Sequence, residues 1–143
     1  MAAVATMAWG LCGCMTVSST DQPRTINQIN RSVSTDGYLA LMNHEASGRP
    51  AMSAGLDGEL VLSAGNCFQV LDDAGEAVAV MFPRETAILG GAVPGLDIAG
   101  RTFSVGDRIG LGGGSSPLSA EARKAAGGCA GDRELFLVHT IEK

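Results

Sequence analysis

The residues best equipped for chemistry in this chain are four cysteines, Cys12, Cys14, Cys67 and Cys129, and two histidines, His44 and His139. A thiolate can ligate a metal, attack a substrate or pair with a second thiol, and spacing decides among these. A structural zinc centre wants ligand pairs with two to four residues between them. Cys12 and Cys14 have one residue between them and no second pair follows. A site from His44, Cys67, Cys129 and His139 would use four isolated ligands without local signature. No metal is therefore expected.

Ser53 lies in Ala51-Met52-Ser53-Ala54-Gly55, one residue from a Gly-x-Ser-x-Gly nucleophile elbow. That elbow joins a strand to a helix of a large α/β sheet, which a chain of this length and pattern does not supply. A base from His44 or His139 and an orienting acid from Asp72, Asp73, Asp97 or Glu45 can be proposed. With many carboxylates in the chain, such a trio is always available, so no catalytic residue is expected. Gly110-Leu111-Gly112-Gly113-Gly114-Ser115-Ser116-Pro117 has the glycines of a phosphate loop but lacks its Lys, and Pro117 stands where the helix should begin. It reads as a glycine-rich exit from a hairpin, with positive φ angles. Asp72-Asp73-Ala74-Gly75-Glu76 carries oxygen ligands without the alternating spacing of a calcium loop and reads as a polar turn. No cofactor is expected.

Ala2 to Leu11 is uncharged and mainly apolar, the length of a signal h-region and too short to span a bilayer. It runs into Leu11-Cys12-Gly13-Cys14, which resembles the lipobox of bacterial lipoproteins. No Lys or Arg precedes Trp9, unlike the usual positive start of such signals. The resemblance implies cleavage before Cys14, a diacylglyceryl group on its sulfur, and an extracytoplasmic, membrane-anchored protein. Cys12 would leave with the signal, so Cys67 and Cys129 remain. In an oxidising compartment two remaining thiols suggest one disulfide, the alternative being two separate buried thiols. Closing a loop of about 60 residues would stabilise the fold by about 4 kcal/mol on the chain-entropy account.

The elements that would carry these residues fall into three parts: a signal at 1–13, a lipidated Cys and polar tether at 14–36, and a domain at 37–143. The tether is rich in Ser, Thr, Asn and Gln, and a short helix from Pro23 to Ile29 would set Ile26 and Ile29 on one face. From Gly37 onward, short apolar runs alternate with Gly, Asp, Asn and Pro, the pattern of strands and tight turns. Strands are expected at Tyr38–Met42, Glu59–Ser63, Cys67–Leu71, Glu76–Phe82, Thr86–Leu89, Arg101–Val105, Asp107–Leu111 and Glu134–Thr140. The second to fourth form a meander, and Arg101 to Leu111 reads as a hairpin about Gly106-Asp107. A single helix, Ala120 to Ala126, has Ser119 as N-cap and Gly127-Gly128 as stop. The order fits a mainly β fold, a small closed or partly open, OB-like barrel, with a β-sandwich as alternative.

The region from Gly58 onward also resembles small bacterial extracytoplasmic domains of uncharacterised role. It shares Gly58-Glu59-Leu60-Val61-Leu62 before a Cys, then Phe82-Pro83, then Val105-Gly106-Asp107-Arg108-Ile109-Gly110-Leu111-Gly112-Gly113-Gly114 before a second Cys.

A formal charge of −5 leaves no basic footprint for phosphates, so no nucleic-acid partner is expected. The sole Trp is Trp9, inside the expected signal, and Tyr38, Phe68, Phe82, Phe103 and Phe136 fall at core-forming places. Little remains for an exposed aromatic platform. The expected function is a non-catalytic binding module, held on the membrane by its lipid and able to meet an envelope protein. The alternatives are an inhibitor of lysozyme-type hydrolases and a small hydrolase. Lysozyme-inhibitor lipoproteins likewise join a lipobox, a small β-barrel and a disulfide, and Ala46-Ser47-Gly48 resembles part of their inhibitory loop without the aromatic residues that follow it.

Overall fold

The computed structural model describes residues 25–26, 28–43, 54–130 and 133–142. Among the described residues ten strands run in chain order: β1 Asn30–Val33, β2 Leu39–Met42, β3 Ala54–Leu62, β4 Phe68–Asp72, β5 Ala77–Phe82, β6 Thr86–Leu89, β7 Gly95–Ile98, β8 Arg101–Ser104, β9 Arg108–Ser116 and β10 Leu135–Glu142. Helix α1, Ala120–Ala126, lies between β9 and β10 and continues into a short 3-10 turn, Gly127–Cys129. The fold is mainly β with one short helix, as the spacing of turns and apolar runs predicts.

Seven strands pair in the order β1-β2-β5-β10-β9-β3-β4, and β4 pairs again with β5. The sheet thereby returns on itself, and β3, β4, β5, β10 and β9 make a five-stranded ring, the small barrel expected. Within the ring only β10 and β5 run parallel, through Phe136↔Val80 and Leu137↔Met81. The expected meander is present as β3–β4 and β4–β5. Beyond the reach of β4, β5 pairs with β2, in parallel, through Leu41↔Met81 and Met42↔Phe82. Closure leaves few free edges among the ring strands, which is how small all-β domains avoid edge-to-edge association.

Period-two alternation fills the ring. Leu56 and Leu60 of β3, Phe68 and Val70 of β4, Val80 and Phe82 of β5, Ile109 and Leu111 of β9, and Phe136 and Val138 of β10 form one buried cluster. Each strand contributes residues two or four apart, the set that faces one side of a pleated strand. Leu96 and Ile98 of β7 join the same cluster, so the separate three-stranded sheet β6-β7-β8 packs on it. A second cluster lies outside the ring, where Leu41, Ala79, Met81 and Leu135 meet Ala122, Ala126, Cys129 and Ala130 of the helical segment. This explains why Val78 to Phe82 reads as a continuous apolar run: β5 is covered on both faces.

The helix forms where expected. Ser119 Oγ accepts the Ala122 amide at 3.1 Å, and Gly127 leaves the helix at φ 60°. An N-cap of this kind contributes about 1 kcal/mol.

Three expectations are corrected. No hairpin joins β8 to β9: β8 pairs with β7, while β9 pairs with β3 and β10. The turn at Gly106-Asp107 exists, with the Ser104 amide bound to Asp107 Oδ2 at 2.8 Å, but it carries the chain from one sheet to the other. Alternation identifies both strands correctly and says nothing of their partners. The glycine-rich run is not a loop, because Gly110 to Gly114 all lie within β9, and positive φ angles occur at Gly37, Gly75, Gly91, Gly100, Gly106 and Gly127 instead. Finally, the described part of the expected tether is folded. Ile26 forms a parallel bridge with Leu118, which excludes a helix running from Pro23 to Ile29, and β1 pairs antiparallel with β2.

Candidate functional site

Cys67 and Cys129 are joined as a disulfide, with Cα atoms 5.5 Å apart. The turn after β3 presents Cys67. The Cys67 amide donates to Ser63 Oγ at 3.1 Å, the Asn66 amide donates to the Ser63 carbonyl at 2.9 Å, and Asn66 takes φ 62°. Cys129 ends the 3-10 turn that follows α1. Each cysteine is only 2% exposed. Gln69 Nε2 donates to the Cys129 carbonyl at 3.2 Å, so β4 holds the same piece of chain by a second link. Because the two sulfurs are bonded to each other, neither is a thiolate ligand, and the four-ligand zinc arrangement loses half its donors. Among the described residues no group of three or more His, Cys, Asp or Glu is placed to hold a metal.

His139 is the extra residue of a β-bulge. Val138 faces Gly113 and Thr140 faces Gly112, so β10 fits three residues against two of β9. Its Nε2 is shielded from solvent and has no hydrogen-bond partner. A bulge of this kind redirects side chains and sharpens the local twist.

Of the carboxylates proposed as orienting acids, Asp72 and Asp97 are occupied in turns and Asp73 in an exposed ion pair. Asp72 Oδ1 accepts the amides of Ala74 at 3.0 Å and Glu76 at 2.8 Å, closing the expected polar turn between β4 and β5. Asp97 Oδ1 accepts the Gly100 amide at 2.9 Å. Asp73 pairs with Arg108 at 3.0 Å, and Glu76 with Arg133 at 2.6 Å, both pairs well exposed. Exposed pairs contribute roughly 0–1 kcal/mol, so these trim the surface rather than hold the fold. Ser53, His44, Glu45 and the segment Ala46-Ser47-Gly48 lie outside the described residues, as do Cys12 and Cys14.

The sequence did not point to two buried hydroxyls, Ser116 Oγ and Thr86 Oγ1, which have no hydrogen-bond partner. Ser116 is 0% exposed and stands opposite Leu135, so it faces the second cluster under the helical segment. A Ser two residues beyond a glycine run looks like loop, and only the extension of β9 to Ser116 reveals where it faces.

Compared with protein-family models, with curated proteins and with solved structures, the chain has no match in any of the three. Among the described residues no helix is long and apolar enough to cross a membrane.

Proposed function

We propose that this chain is an extracytoplasmic lipoprotein whose barrel is a non-catalytic binding module of the bacterial envelope, moored by a lipid on Cys14. The observation that carries the reading is the Cys67–Cys129 disulfide. It uses both cysteines that would survive cleavage before Cys14, and bonds of this kind persist in oxidising compartments. The lipobox-like Leu11-Cys12-Gly13-Cys14 supplies the anchor, and the membrane is the first partner.

The attachment point is compatible with this role. Ile26 is clamped by two backbone bonds, its amide donating to the Pro117 carbonyl at 2.8 Å and its carbonyl accepting from the Ser119 amide at 2.9 Å. A fully extended chain of a dozen residues reaches about 40 Å at most. The barrel would thus ride close to the lipid surface, with the start of α1 on the tethered side, free to meet an envelope protein.

Fractionation of cells expressing the wild type and Cys14→Ser tests this. The wild type should sediment with membranes and Cys14→Ser should not be lipidated. A wild type recovered wholly from the cytosol would overturn the reading.

A further inference from the structure

We propose that Ser119 to Ala130 form a lid latched by the Cys67–Cys129 bond, and that reduction of this bond lifts the lid while the five-stranded ring stays folded. The lid brings little apolar surface of its own: its buried side chains are Ala122, Ala126, Cys129 and Ala130. The interior of the ring, built from Leu, Ile, Val and Phe, shares no residue with it. Opening therefore leaves the main core intact.

At its start the lid is held by the Ser119 amide on the Ile26 carbonyl, and at its far end by the disulfide. Gln69 of the ring donates to the Cys129 carbonyl, so this side-chain hydrogen bond falls at the same end of the lid as the disulfide. On the face of Leu135, a residue of the cluster that the lid completes, Ser116 Oγ is fully buried without a partner. A hydroxyl in that condition is satisfied by water once the cover lifts, so the closed state carries a penalty that opening removes. What opening uncovers is a strip of Leu41, Ala79, Met81 and Leu135, flanked by the Ser116 hydroxyl and the Gln69 amide.

The reductant is a dithiol. One of its thiolates attacks a sulfur of the Cys67–Cys129 bond and displaces the other. Its second thiolate then resolves the mixed disulfide, so that the dithiol ends as a disulfide and each cysteine ends as a thiol. The inference does not depend on the lipid anchor.

Hydrogen exchange followed by mass spectrometry on the full chain tests it, comparing the oxidised protein, the protein reduced by dithiothreitol with both thiols verified by alkylation, and Cys67→Ser/Cys129→Ser. Amides within 119–130 should exchange about tenfold faster or more in the second and third samples, with β3, β9 and β10 still protected. Adding Ser116→Ala to the double variant should slow that opening. Unchanged exchange in 119–130 with both thiols free would overturn the proposal. So would loss of protection in ring and lid together, or failure of the double variant to fold, since the ring must stand without the latch.

Discussion

Gly113 of β9 lies so tightly against Leu137 of β10 that a Cβ on the glycine would overlap the leucine's carbonyl oxygen. Gly112 stands in the same relation to the Thr140 hydroxyl, and the bulge at His139 falls between these two contacts. Gly112 and Gly113 therefore serve close packing of strands rather than a turn.

Gly113→Ala should destabilise the protein by about 3 kcal/mol or more, because backbone on a paired strand has to move. Gly55, in β3, has nothing within 4 Å of such a Cβ and no positive φ. Gly55→Ala should stay within about 0.5 kcal/mol of wild type. Urea midpoints of the two variants check the contrast, and equal midpoints would contradict it.

Phe82 and Met81 are neighbours in β5 that point into different clusters, at 0% and 1% exposure. Phe82→Ala should cost about 3–5 kcal/mol and loosen the ring as a whole. Met81→Ala should cost about 2–5 kcal/mol and raise hydrogen exchange first in α1. Exchange maps of both variants distinguish these outcomes.

Ser116→Ala removes a buried hydroxyl that has no partner. It should leave thermal stability unchanged or raise it by up to about 1 kcal/mol, the reverse of the usual sign for a change in the interior. A calorimetric loss of more than about 1 kcal/mol would mean the hydroxyl is bonded.

Particular residues show why the sequence was legible in parts. The bounds of Ala120–Ala126 are legible because a capping Ser and a terminal Gly are local signals. β5 stood out because burial on both faces demands an uninterrupted apolar run. β7 was missed: Pro94 and Gly95 look like a turn, yet Gly95 is there because the Phe103 carbonyl leaves no room for a side chain. β1 was missed because Asn30, Arg31, Ser32 and Val33 form an edge strand with little buried, whose composition is that of a tether. The pairing of β8 was beyond reach for another reason, since hydrogen-bond partners are a long-range property that alternation does not encode. The candidate site was legible in one respect, the Cys67–Cys129 bond, which follows from counting thiols rather than from any local motif.

The chain is proposed to be processed, lipid-bearing and closed by one internal disulfide. Intact mass of the protein extracted from membranes, with and without reductant and alkylating agent, tests it most directly. A chain beginning at Cys14 with added acyl mass, unreactive until reduced and then labelled at Cys67 and Cys129, is the expected species. A chain retaining Met1 to Gly13, without added lipid and with four cysteines labelled before any reduction, would contradict it.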